Sequence, residues 1–152
     1  SLSLAAAKMK RDVTAYDAGA VSELFLVEAM SPKPLAELII NIRQDPQFGA
    51  ALVLGSGGIL VELLADSTTL LLPTRPVEII DALKSLRVGR LLEGFRGRPA
   101  ADIAKVAAEI YKLSITYQEN IKTIAEIEIN PLFVYRAEVS AIDVLIQVPN
   151  EK

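Results

Sequence analysis

Across residues 36–44 (AELIINIRQ), Leu38, Ile40 and Ile42 alternate with Glu37, Ile39, Asn41 and Arg43, the period of two that a half-buried strand requires. Apolar runs at 50–54 and 59–64 predict two more strands joined by Gly55-Ser56-Gly57-Gly58, and the three read as an antiparallel meander. The period changes at 77–86, where Ile79, Ile80, Leu83 and Leu86 follow Pro76 at helical spacing. A second helix is predicted at 102–117 from Ile103, Val106, Ile110 and Leu113. Between the two, VGRLLEGFRGRPAAD reads as a loop. Residues 4–16, rich in Ala, Lys and Arg without Gly or Pro, predict a helix that ends before Asp17-Ala18-Gly19. Residues 24–28 (LFLVE) predict a short strand ahead of the stiff turn Ser31-Pro32-Lys33-Pro34, and 125–135 with 139–148 predict a closing hairpin. Neighbouring strands with helices grouped between them give an α+β fold, an antiparallel sheet with helices packed on one face.

A chain of 152 residues suits one domain with its own core, and its apolar runs are far too short to cross a bilayer. The N-terminal SLSLAAAKMKRD sets apolar residues before its charges, the reverse of a secretory signal, so a cytoplasmic address is expected. The absence of Cys fits a reducing compartment. With a net charge of −3 and scattered cations, there is no footprint for nucleic acid. The absence of His says more. It excludes a His base, nucleophile, metal ligand or phosphohistidine from this chain, and without Cys any metal site must be built of oxygen donors, which favours Mg²⁺.

In the last hairpin, polar residues interrupt an apolar segment. If the turn is Arg136-Ala137, residues whose numbers sum to 273 lie opposite one another, and Asn130 faces Asp143. Glu126, Glu128 and Asn130 then share a face with Asp143 and Gln147, while Ile127, Ile129, Phe133, Ile142, Val144 and Ile146 share the core face. Carboxylates and an amide gathered on one face suit Mg²⁺, which takes one or two carboxylates and completes its shell with water and phosphate. The same spacing also fits a strand facing solvent. Pro131 cannot donate to a ladder, so an edge or a bulge is expected there. The Gly55–Gly58 stretch reads as a hairpin turn or a phosphate cradle, and Arg90, Arg96 and Arg98 as a solvated loop or an anion grip.

The motifs LVEAM, AELIINIRQDPQFG, VLGSGGILVELLAD, LLEGFRGRPAADI and AEIEINPLFVY, in this order and spacing, resemble the ATP-grasp region of NDP-forming acyl-CoA synthetases, the ADP-forming acetyl-CoA synthetase type. The likeness to the beta chain of succinyl-CoA synthetase is more distant. The resemblance implies residues 1–20 as a helix and linker from a preceding subdomain, and 21–152 as the C-terminal subdomain of an ATP-grasp fold. It implies a ligase chemistry in which acyl-CoA, ADP and phosphate give acid, ATP and CoA through an acyl phosphate and a phosphohistidine. Asn130 and Asp143 correspond to the family's Mg²⁺ holders on the nucleotide phosphates, with Glu128 one layer further from the ion. Glu28 and the backbone of Ala29 correspond to the adenine edge, Ser31 lies near a nucleotide contact, and Glu37 corresponds to the acid at the ribose hydroxyls. The expected partners are ATP or ADP and the CoA-binding and ligase domains, or a subunit, carrying the phosphohistidine that this chain lacks. The phosphate-gripping Lys of the other ATP-grasp half is also expected elsewhere, so the isolated chain is expected to fold without turning over.

A different reading keeps the same fold as a non-catalytic regulatory or interaction domain in a larger protein, such as an acyltransferase fusion. A biosynthetic ligase joining a carboxylate to an amine is disfavoured by QDPQFG and GSGGI. Two positions depart from the family pattern: Leu70, where many members carry Arg, and Glu138, where Gly is frequent. The second predicts a left-handed residue in the turn at a cost of about 1 kcal/mol.

Overall fold

The computed structural model describes residues 1–20, 24–57 and 66–149. The chain divides into two compact units, Ser1–Pro32 and Lys33–Lys152. In the first, the Ala-rich run forms helix α1 (Leu2–Tyr16), which closes where the Asp17 amide donates to the Val13 carbonyl at 2.9 Å. The Asp17 carboxylate then accepts from the Gly19 amide at 2.8 Å, ending the helix where the sequence predicts. Residues 24–28 do not form the expected strand. An apolar extended run becomes a strand only when a neighbour takes its main-chain groups, and no described segment of this unit forms a ladder with it.

The second unit is built on a sheet. Strand β1 (Ala36–Asp45) pairs antiparallel with β2 (Gly49–Ser56) and, on its other side, with β4 (Glu126–Val134). A third strand, β3 (Ser67–Leu71), lies beyond β2, while β5 (Val139–Ala141) and β6 (Val144–Gln147) both pair with β4. Sequence patterning did not separate β3, because Ser-Thr-Thr-Leu-Leu carries no alternation. The strand expected at 59–64 lies outside the described residues.

The helices cover one face. Helix α2 (Pro76–Ser85) starts on a proline, whose missing N–H is no loss at that position. Its Glu78 reaches back to accept from the Arg75 amide at 2.8 Å, the Arg75 guanidinium at 2.9 Å and the Thr74 hydroxyl at 3.0 Å. The Arg75 side chain leads the effects that hold Glu78 down at about 2. A short helix, α3 (Gly89–Leu92), interrupts the segment expected to be all loop. Helix α4 (Ile103–Glu119) is capped by Asp102, which accepts from the Lys105 amide at 3.1 Å. The Asp102 amide also donates to the Arg136 carbonyl at 2.8 Å, tying the helix start to the last hairpin.

Between these layers Leu38, Ile40, Ile42, Leu52 and Leu54 of the sheet meet Ile79, Leu83, Leu92, Val106 and Ile110 of the helices. Tyr117 is fully buried and donates its hydroxyl to the Ala125 carbonyl at 3.0 Å. Leu70, opposite Leu52, packs against the edge of this core. None of the described helices is long and apolar enough to cross a membrane.

The hairpin keeps its expected register and changes its expected core. Val134 opposes Val139, and Glu126 opposes Gln147, so the sum of 273 holds along the whole return. Against β1, however, Leu38 pairs with Leu132 and Ile40 with Ile129, which leaves Asn130 and Pro131 together opposite Ile39. This is a bulge inside the sheet rather than an edge, and it accommodates a residue with no N–H to donate. The extra residue reverses the faces beyond it, so Leu132 and Val134 enter the core and Phe133 turns to the other side. Ile142, Val144 and Ile146 are not core either, being 43%, 48% and 53% exposed. Glu138 needs no left-handed backbone: among the described non-glycine residues only Arg96 has a positive φ, of 50°.

Candidate functional site: the polar face of the sheet

The face turned away from the helices carries most of the polar side chains of β1 and β4. On β1 these are Glu37, Asn41 and Arg43; on β4, Glu126, Glu128 and Asn130. Register fixes their neighbours. Asn41 lies opposite Glu128, Arg43 opposite Glu126, and Glu37 opposite Phe133. The Asn41 side-chain amide donates to Glu126 Oε1 at 2.5 Å, so one carboxylate of the row is already partnered within the sheet. On the other side Glu128 faces Leu145, and the Asn130 amide donates to the Asp143 carbonyl at 3.1 Å. Asn130 and Asp143 are both exposed, while Glu37 and Glu128 are half-buried.

Asn130 offers an amide oxygen and Asp143 and Glu128 offer carboxylates, and the chain has neither His nor Cys. Among the described residues no three acidic side chains are grouped to hold an ion by themselves. Such a face fits a hard cation that keeps water or phosphate in its shell, and does not fit a cation that needs a closed protein cage.

The bulge is what presents Asn130. By forcing two residues opposite Ile39, it breaks the ladder beside the Asp143 partner, and the next aromatic, Phe133, arrives on the same face beside Glu37. Phe133 meets Tyr135 edge-on, with ring centroids 6.4 Å apart at 81°. The start of β1 is fixed from behind by Gly57, whose amide donates to the Glu37 carbonyl at 2.7 Å. A Cβ at Gly57 would lie 2.8 Å from the Glu37 carbonyl carbon and 2.9 Å from the Leu38 nitrogen, so only glycine permits this approach.

Of the residues expected to meet a nucleotide or metal, Glu37 lies on β1 and Glu128 and Asn130 on β4, while Asp143 lies between β5 and β6, its carbonyl accepting from the Asn130 amide. Glu28, Ala29 and Ser31 lie in the other unit, on an exposed stretch without regular structure. Asn41 was missed as a partner of Glu126, although a polar residue midway along a half-buried strand is a signal that invites a search for one. Asp66 left no signal. It accepts from the Ser56 hydroxyl, the Arg87 amide at 2.9 Å and the Val88 amide at 3.3 Å, joining the end of β2 to the segment after α2. Burial pushes its carboxyl up, but the Arg87 amide, the Ser56 hydroxyl and the Val88 amide together outweigh that and leave it below the usual carboxylate value. Of the loop arginines, Arg98 donates to the Pro34 carbonyl at 3.2 Å and Arg96 lies over the Phe95 ring at 5.2 Å.

Comparison with known proteins agrees with this architecture. The chain matches the family model described as an ATP-grasp domain over residues 1–148. It is 36% identical over 104 residues to the acetate–CoA ligase (ADP-forming) II subunit beta of Pyrococcus furiosus, a match covering 68% of this chain and 44% of that one. It is 40% identical over 98 residues to the 4-hydroxybutyrate–CoA ligase (ADP-forming) of Nitrosopumilus maritimus, covering 64% of this chain and 14% of that protein. The chain therefore spans less than half the length of these curated relatives. Among solved structures it superposes with a TM-score of 0.72 and 31% identity on acetyl-coenzyme A synthetase 1 of Ca. Korarchaeum cryptofilum, over 79% of this chain and 55% of that one. That structure is a complex with coenzyme A and Mg-AMPPCP, its phosphohistidine segment pointing towards the nucleotide binding site. With a helix-backed antiparallel sheet and a family match running through residue 148, the chain belongs to the ATP-grasp domain family.

Proposed function

We propose that this chain supplies nucleotide and Mg²⁺ contacts for an ADP-forming acyl-CoA synthetase, in which acyl-CoA, ADP and phosphate yield acid, ATP and CoA. The observation that carries the reading is the backbone hydrogen bond from Asn130 to Asp143 at the bulge of β4, the strand that also bears Glu128 and pairs with the strand bearing Glu37. Asn130 and Asp143 would hold the cation, with Glu128 orienting water beside it. Bound Mg²⁺ neutralises charge on the nucleotide phosphates. Glu37 accepts from the ribose hydroxyls. Glu28, the backbone of Ala29, and Ser31 meet the base and the adjoining part of the nucleotide.

Because the chain has no His, a phosphohistidine relay must come from another domain or subunit, together with the CoA site. The support is that a similar protein is named as a beta subunit, and that a similar structure holds coenzyme A with Mg-AMPPCP. In this division of labour the chain acts by positioning and charge neutralisation, and shows no turnover alone. Calorimetry of ADP and ATP binding with and without Mg²⁺ tests the reading. Binding that strengthens with Mg²⁺ and loses that dependence in Asn130→Ala and Asp143→Ala is expected; a folded chain whose binding ignores both Mg²⁺ and the substitutions contradicts it.

A further inference from the structure

We propose that the cleft between the end of α2 and α3 is a binding site for a phosphate-type anion, formed by Lys84, Arg87 and Arg90. The site shares no residue with the nucleotide and metal contacts proposed above. Among the described residues the cleft is lined by Lys84, Ser85, Leu86, Arg87 and Arg90 around about 560 Å³.

The backbone builds this convergence. Helix α2 ends at Ser85, Leu86 turns extended with φ −69° and ψ 152° and stays 4% exposed, and the chain re-enters helix at Gly89. The reversal is tight. A Cβ at Gly89 would lie 2.6 Å from the Leu83 carbonyl oxygen and 2.9 Å from that of Lys84, so only glycine lets α3 close onto the end of α2. Leu86 is buried and anchors the loop, while Lys84, Arg87 and Arg90 are exposed and line the cleft.

These cations are not consumed elsewhere among the described residues. The four ion pairs found there are Lys8 with Asp12, Arg75 with Glu78, Lys105 with Asp102, and Lys112 with Glu109. Asp66 is the acid that reaches this segment. It accepts from main-chain amides of Arg87 and Val88 and from the Ser56 hydroxyl, fixing the loop, and it attracts the Arg87 guanidinium electrostatically without forming an ion pair with it. Ser85 gives its hydroxyl proton to the Ala82 carbonyl at 2.7 Å, which removes it as a donor. Recognition therefore rests on side-chain charge. Two guanidinium forks offer paired N–H groups that match adjacent phosphate oxygens, and Lys84 adds a point charge. In a chain of net charge −3, three cations within residues 84–90 form a local reversal of sign.

An isotope-labelled chain titrated with sodium pyrophosphate, without metal and against sodium chloride at equal ionic strength, tests the site by amide shifts. The shifts expected are saturable and centred on residues 84–90. They weaken about tenfold or more in a Lys84→Ala/Arg90→Ala variant, as the loss of paired charge-assisted hydrogen bonds requires. Arg90→Lys, which keeps the charge without the fork, should retain part of the affinity and supplies the comparison if the double variant folds poorly. A parallel titration with metal-free ADP shows whether a diphosphate carried on a nucleoside binds there as well as the free anion. Shifts no larger than those at Lys105 and Lys112, or unchanged by both variants, overturn the site. Residues 128–143 report the nucleotide face separately in the same spectra.

Discussion

The amide of Asn130 donates to the carbonyl of Asp143 at 3.1 Å, so the two residues are direct cross-strand partners beside a bulge. Neither side chain is buried, and neither supports the core. Asp143→Asn is therefore expected to change unfolding free energy by no more than about 0.5 kcal/mol, as exposed substitutions generally do. Urea denaturation checks this. A loss of several kcal/mol would make Asp143 a structural residue and remove the reason for reading it as a metal ligand.

Asp66 is expected to behave in the opposite way. Its carboxylate accepts from three donors, one at the end of β2 and two in the segment after α2, and Asp66→Asn forfeits part of that set. A loss of about 1–2 kcal/mol is expected, at the lower end because the group is partly exposed to solvent. The folded carboxyl lies below its ordinary value of 3.8, so its stabilisation is present above that value and disappears as pH falls through the lower folded one. The gap between wild type and variant in chemical denaturation should be full near neutrality and close in strong acid. A gap that widens on acidification would contradict the assignment.

Tyr117 is a core residue with one polar obligation. Tyr117→Phe keeps the ring and strands the Ala125 carbonyl, to which the hydroxyl donates at 3.0 Å. About 1–2 kcal/mol of stability should be lost, read as a lower midpoint in denaturant at unchanged slope.

Gly57→Ala tests whether the start of β1 is held from behind. The added methyl would sit within 3.0 Å of the Glu37 and Leu38 backbone, which must move. A destabilisation of about 1–3 kcal/mol is expected, with amide shifts concentrated at Glu37 and Leu38. A neutral substitution would show that the approach is not tight.

Most of the sheet was legible because Leu38, Ile40 and Ile42 alternate without a break and the two-residue turn at Arg136-Ala137 sets the return register. The bulge explains where that arithmetic stopped working. Pro131 announced it, but only pairing with β1 shows that the faces reverse beyond it, which sends Phe133 out and Leu132 in. Ile142, Val144 and Ile146 have the pattern of a core face, yet a pattern cannot say whether a helix lies over it. Likewise 24–28 has strand composition, yet the described residues of its unit form no strand. The partners of Asp66 and Asn41 were illegible for a simpler reason: Arg87 and Glu126 are many residues away, and no local spacing encodes them.

The most direct test of the metal reading replaces Mg²⁺ with paramagnetic Mn²⁺ in the presence of ADP and follows amide signals of the labelled chain. Broadening centred on Glu128, Asn130 and Asp143, abolished in Asp143→Ala, is the predicted result. If the folded chain takes up Mn²⁺ and ADP without broadening these residues, or broadens elsewhere, the polar face of the hairpin is not the metal site.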